Sequence, residues 1–410
     1  MITTLIKRRR KLHHHFGISK DGVITGAADN DPAGIATYLQ VGATTGFSLL
    51  WLVPLITPLV IAVEEMSARI GVVTKKGLGQ VIRERYGVGW AYLAAFIVLI
   101  CNVATITANI AAMSEILAVF IGVNWLWFVL PIALILLSIM IGKGYATLSR
   151  YLIFATLILL LYIVTGIMLQ PSMSDILTGV FKPVLELDNI FLLAAVGFVG
   201  TTISPYLIFW QATSEIEDHK KVSDMRQESF GVAAGFIFAN IVAFFIILTA
   251  AMTFGGGALI PTTTEAALAL TPLLGHWAFL FFAIGILGSG FLGIPVLAAS
   301  TAYVGAEALK MPEGLSKTIK QAPGFYIILV AALVGAALLA FTSVPPMMML
   351  LYSQVLNGIL TPVLIILLMM LSNNPDVMKK HTNGIWSNLL GAVSLVVMIG
   401  FNIALLLTYL

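Results

Sequence analysis

The chain has 410 residues, 59% of them hydrophobic and only 10% charged, with a mean hydropathy of +1.01. That balance excludes a water-soluble domain, because apolar runs of about 20 residues recur along the whole length. The net charge of +3 reflects sidedness rather than a basic patch, so no nucleic-acid partner is expected.

Eleven membrane spans are predicted, near 22–41, 47–68, 90–118, 124–142, 149–169, 190–214, 229–254, 273–305, 323–342, 347–371 and 386–409. The segment before the first span, with bases from Lys7 to Lys11 and then His13 to His15, lacks the apolar core of a secretory signal and reads as a solvated tail. With the N-terminus cytoplasmic, all of the 22 lysines and arginines except Lys182 fall on the cytoplasmic side. This asymmetry places Leu410 outside and predicts a multi-pass protein of a cell membrane, a bacterial inner membrane, with lipid around it and a monomeric state. Cys101, the single cysteine, lies in an apolar span and reads as a small core residue.

The first span is interrupted by Gly26-Ala27-Ala28-Asp29-Asn30-Asp31-Pro32-Ala33-Gly34. Two acids and a proline inside a span require protein or water around them. Proline removes a backbone donor, the helix opens, and freed carbonyls then stand beside the Asp31 carboxylate, a combination suited to a cation. Five spans later the pattern returns in the sixth, at Gly197-Phe198-Val199-Gly200-Thr201-Thr202-Ile203-Ser204-Pro205-Tyr206. An odd number of intervening crossings makes the two broken helices antiparallel. Paired breaks in inverted halves mark a secondary transporter with its site at mid-membrane. Either proline alone reads as a packing kink; the pair, with Asp31 beside one of them, reads as a site.

These residues resemble the Nramp family of divalent-metal transporters. The family's first-helix motif Asp-Pro-Gly-Asn appears here as Asp31-Pro32-Ala33-Gly34, and its sixth-helix Ala-Thr-Val-Met-Pro-His as Thr201 to Tyr206. The second helix carries Ser67-Ala68-Arg69-Ile70-Gly71-Val72-Val73-Thr74, close to the family's Ser-Ala-Arg-Leu-Gly-Ile-Val-Thr, and Ser353-Gln354-Val355 with Pro362 keeps the tenth-helix spacing. The resemblance implies an all-α polytopic membrane protein of the LeuT-type fold, with two inverted five-helix repeats (about 22–169 and 190–371) and an eleventh helix (about 386–409) in one transporter domain.

Of the family's metal ligands, the Asp is unchanged as Asp31. Gly34 stands at the Asn, Thr201 at the Ala whose carbonyl binds, and Ser204 at the Met. A thioether favours transition metals, and its replacement by a hydroxyl removes that preference. The smaller residues also leave room for a partly hydrated ion such as Mg²⁺, which keeps several waters. The pattern is similar to the Nramp-related magnesium transporters, with Mg²⁺ and Mn²⁺ as cargo rather than cofactors, held by Asp31 and by carbonyls and hydroxyls around Ala28, Gly34, Thr201 and Ser204. The family's proton route uses acids on the third helix and histidines on the sixth. Here Asn109 and Ala112 stand at the acids, and Tyr206 and Gln211 at the histidines, and none titrates near neutral pH. Uncoupled import is therefore expected, since two charges moving down about 100 mV gain roughly 4.6 kcal/mol.

Other polar residues have two readings each. Glu115 is either a displaced proton carrier or a solvated or locally paired acid. Asp29 either attracts hydrated cations or pairs locally. Glu64 and Glu65 are expected to end the second helix in an ion pair with Arg69, the alternative being a part in transport, and Gln354 is a candidate for lining the pathway. The rivals are a proton-coupled Mn²⁺/Fe²⁺ symporter and an amino-acid or organic-cation carrier of the same fold. No P-loop and no nucleophile–base pattern points to an enzyme.

Overall fold

The computed structural model describes residues 29–142 and 160–410. Ala28, the basic N-terminal segment and the start of the fifth span lie outside the described residues.

Helix α1 (Pro32–Thr45) begins where the sequence places the first break. Asp31 is its N-cap in extended conformation, and Pro32 takes the first helical position, where its missing N–H is no loss. There follow α2 (Leu52–Thr74), the short α3 (Leu78–Tyr86), α4 (Val88–Ile121), α5 (Leu126–Gly142) and α6 (160–168). A surface helix, α7 (Met173–Phe181), occupies the connection to the sixth span. That span is two helices, α8 (Asn189–Thr202) and α9 (Pro205–Glu217), with Ile203 and Ser204 unwound between them and Pro205 at the first position of α9. Then come α10 (Met225–Phe254), α11 (Ala278–Leu309), α12 (Pro323–Leu339), α13 (Pro346–Ser372) and α14 (Ile385–Leu407).

Apart from α3 and α7, the described helices named above fall on the predicted spans, with shifted ends. Among the described residues, six segments are long and apolar enough to cross a membrane by length and composition alone, the broken Asn189–Glu217 among them. Helix α2 carries Glu64, Glu65 and Arg69, and α5 and α12 have 17 residues each.

Both broken helices sit inside the bundle. Helix α1 packs on α10 and α8, while α8 packs on α13 and α9 on α2. Without a hydrophobic drive between helices in lipid, close backbone approach at small residues holds such pairs. At Gly200 a Cβ would stand 2.1 Å from the Gln354 carbonyl and 2.3 Å from the Gly358 nitrogen. Gly71 admits the Ala212 carbonyl in the same way, and Ser67, one turn earlier, donates to the carbonyl of Ile208. The Ser67–Gly71 string is thus the seam that docks α9 on α2.

The expected end of the second helix differs. Helix α2 runs on to Thr74, so Glu64 and Glu65 lie within it. No ion pair joins them to Arg69 among the described residues. Arg69 donates to Asn383 Oδ1 at 2.6 Å, and Glu65 accepts from Ser229 at 3.1 Å. Docking against α14's leading loop and α10 supplies partners that the local sequence does not.

Candidate metal-transport site

The two breaks meet in the bundle interior. Asp31 is 2% exposed. Its Oδ1 accepts from the Gly34 N–H at 2.7 Å, capping α1, and its Oδ2 accepts from Asn109 Nδ2 on α4 at 2.7 Å. Asn109, which the family resemblance places at a proton-route acid, therefore presents a neutral amide to the Asp31 carboxylate. Behind Asp31, α11 comes so close that a Cβ on Gly293 would lie 2.7 Å from Asp31 Cβ.

Gly34 lets the two breaks pack closely. A Cβ there would stand 2.5 Å from the Asp29 carbonyl oxygen, 3.3 Å from Thr201 Oγ1 and 3.4 Å from Asp31 Oδ1. Three oxygens, from the two breaks together, face the space that a side chain at position 34 would fill. Thr201 is the last-turn residue of α8 that the break brings over α1, and Ser204 is buried as the N-cap of α9 without capping it through its side chain. The donor set is oxygen only, with one formal carboxylate from Asp31. Among the described residues no group of three or more His, Cys, Asp or Glu could hold a metal ion.

Tyr38, which sequence reasoning missed, ties the two broken helices together. Its hydroxyl lies 3.3 Å from Asp29 Oδ2 and 3.4 Å from Thr202 Oγ1, and its ring meets Phe198 edge-on at 5.6 Å. A signal was available, since Tyr38 follows Asp31 by seven residues and so shares its helical face. Tyr206 is buried on the first turn of α9, and its carbonyl accepts from Ser300.

Three other candidates are placed away from Asp31's immediate contacts. Gln211 donates to Glu215 at 2.8 Å, two turns along α9. Gln354 is occupied within α13 by Ser353 and Asn357, at 3.1 and 2.8 Å. Glu115 lies near Thr263, yet neither its Oε2 nor Thr263 Oγ1 makes a hydrogen bond among the described residues.

The C-terminal part of α1 is tied to the segment after α10. Gln40 makes a two-way amide pair with Ile260, donating to its carbonyl at 2.7 Å and accepting from its N–H at 2.8 Å, while Gly257 N–H donates to the Thr44 carbonyl. On the basic side, Glu307 at the end of α11 accepts from Gly79 and Gln80 and so caps α3.

This arrangement has known relatives. The profile of the family "Natural resistance-associated macrophage protein-like", Nramp, matches residues 22–408. A divalent metal cation transporter MntH of Yersinia pestis (strain Pestoides F) is 30% identical over 336 residues, covering 77% of this chain and 78% of that protein. Among solved structures, a manganese transporter of Eremococcus coleocola superposes with a TM-score of 0.77 at 18% identity, covering 94% of this chain and 85% of that one. Mhp1, a nucleobase-cation-symport-1 family transporter in a closed conformation, gives 0.57 at 15% identity over 95% and 90%. These likenesses establish the LeuT-type fold of two inverted five-helix repeats plus an eleventh helix. The chain is a multi-pass membrane protein and belongs to the Nramp family.

Proposed function

We propose that this protein is an alternating-access importer of divalent cations, chiefly Mg²⁺ with Mn²⁺ as a second cargo, and that it moves them without protons; it is a carrier and not an enzyme. The observation that carries the reading is the oxygen lining at Gly34, where Asp31 Oδ1, Thr201 Oγ1 and the Asp29 carbonyl converge. A site of hard oxygens with one carboxylate and no thioether favours a hard ion over one that needs a soft ligand. Ser204 adds a hydroxyl from the second break, and the sequence-based candidate Ala28 lies outside the described residues. The neutral Asn109 amide on Asp31 supports the uncoupled mechanism, because it has no proton to pass on at physiological pH. In this reading the repeats run over about 22–169 and 190–371, with 386–409 as the extra helix. The basic loops face the cytoplasm of a bacterial cell, Leu410 lies outside the inner membrane, and the monomer is the working unit.

Purified protein in liposomes tests this, with a Mn²⁺-quenched dye and a pH dye inside. Millimolar Mg²⁺ is expected to compete with Mn²⁺ uptake, and the lumen is expected to hold its pH. Ser204→Met, which returns a thioether, is expected to shift preference from Mg²⁺ towards Mn²⁺ by about tenfold, equivalent to ~1.4 kcal/mol. Mn²⁺ uptake that ignores millimolar Mg²⁺, or metal-driven acidification without ionophore, would establish the proton-coupled symporter instead.

A further inference from the structure

We propose that Asp29 and Glu64 form a second binding position for the transported divalent cation, beside the Asp31 site and separate from it. The proposal rests on the carrier reading above and adds a station to its route.

The position of Glu64 follows from the α2–α9 seam. Ser67 meets Ile208 and Gly71 meets Ala212, two contacts one turn apart on both helices, so α2 and α9 run side by side in the same direction and register. One turn back along α2, that register brings Glu64 level with Pro205, the first residue of α9. On the other flank, Asp29 shares the Tyr38 hydroxyl with Thr202, the last residue of α8. The two carboxylates therefore flank the same unwound pair, Ile203 and Ser204.

Both groups are in a state that calls for a ligand. Glu64 is 0% exposed and Asp29 1% exposed. Neither Glu64 carboxylate oxygen, nor Asp29 Oδ1, makes a hydrogen bond among the described residues. The neighbouring Asn30 side chain is 0% exposed and is equally without a partner on both amide atoms. Burying a carboxylate with neither a counter-charge nor hydrogen bonds is unfavourable. A hard divalent cation, bound through two carboxylates and retained waters, is the ligand class that relieves this arrangement. Asp29 also precedes Asp31 in the chain, so the second position lies on the N-terminal side of the first.

The test counts Mn²⁺ ions on the full-length protein by electron paramagnetic resonance during titration, and compares Glu64→Gln, Asp29→Asn and Asp31→Asn, with uptake measured in parallel. Wild type is expected to take two Mn²⁺, and Glu64→Gln or Asp29→Asn one, the remaining site keeping its affinity within about threefold. A single ion on wild type, or two on both Glu64→Gln and Asp29→Asn, overturns the proposal; the latter result is also what a protonated Glu64 with a packing role would give. Asp31→Asn separates the two ideas. If it loses the tighter site and uptake while Glu64→Gln behaves as wild type, the carrier reading stands and the second position falls. If Asp31→Asn transports as wild type, the carrier reading itself falls. The carboxamide variants keep side-chain shape, and a metal-free Tm equal to or above that of wild type confirms their folding.

Discussion

Replacing Asp31 by Asn separates the charge of this residue from its structural work. In the native site Oδ1 accepts from Gly34 N–H and Oδ2 from Asn109 Nδ2, both at 2.7 Å. Asparagine keeps an oxygen for the Gly34 N–H and turns an amide nitrogen towards Asn109. Asn109 Oδ1 has no partner among the described residues, so a half-turn of its amide presents an acceptor to that nitrogen. Two hydrogen bonds survive, and one buried charge disappears. The metal-free protein should therefore melt at the wild-type temperature or above it, since an unpaired buried charge is unfavourable. The ion, in contrast, loses its only formally charged ligand in the Gly34 space. A carboxylate about 4 Å from a unit charge at an effective dielectric near 20 contributes ~4 kcal/mol, and a divalent ion feels at least that. Binding should weaken about 1000-fold or more. The assay is Mn²⁺ and Mg²⁺ uptake into proteoliposomes beside thermal unfolding in the same detergent. Uptake within threefold of wild type, at unchanged Tm, would refute the assignment of Asp31 as the ligand.

Gly200→Ala places a methyl 2.1 Å from the Gln354 carbonyl, against backbone rather than a movable side chain. It should destabilise the α8–α13 pair by about 1–3 kcal/mol and lower Tm, as read by thermal unfolding with and without metal. Glu313, in the loop after α11, is pushed up to about 9, first by burial and then by the charge of Glu307, against Lys317. A carboxyl raised in this way favours the fold fully below its ordinary value near 4.5, and that contribution is lost as pH rises through about 9. Stability should thus decline from pH 5 to 9, and Glu313→Gln should flatten the decline; an unchanged slope in Tm against pH would show that this loop is not its source.

The two breaks, at Pro32 and at Pro205, were legible in the chain alone, for a local reason. A proline or a carboxylate within an apolar span has few permitted surroundings, so Pro32, Asp31 and Pro205 announce unwound backbone whatever packs around them. Asn109 was singled out only through the resemblance of the third span to the family, and its contact with Asp31 follows from how α4 packs against the first break. Glu64 shows the limit. Beside Arg69 in sequence, it reads as half of a surface ion pair, yet α2 continues past it and its level with Pro205 depends on how α9 docks through Ser67 and Gly71. Gly293 against Asp31, Tyr38 between Asp29 and Thr202, and Gln40 on Ile260 are likewise contacts between residues distant in the chain. The sequence by itself determined that a cation-seeking carboxylate stands in an opened helix, since that follows from the chemistry of a few adjacent residues. Only the tertiary structure decided which oxygens share its space and which acids stand unpaired nearby, because packing between helices is set by surfaces that no local pattern specifies.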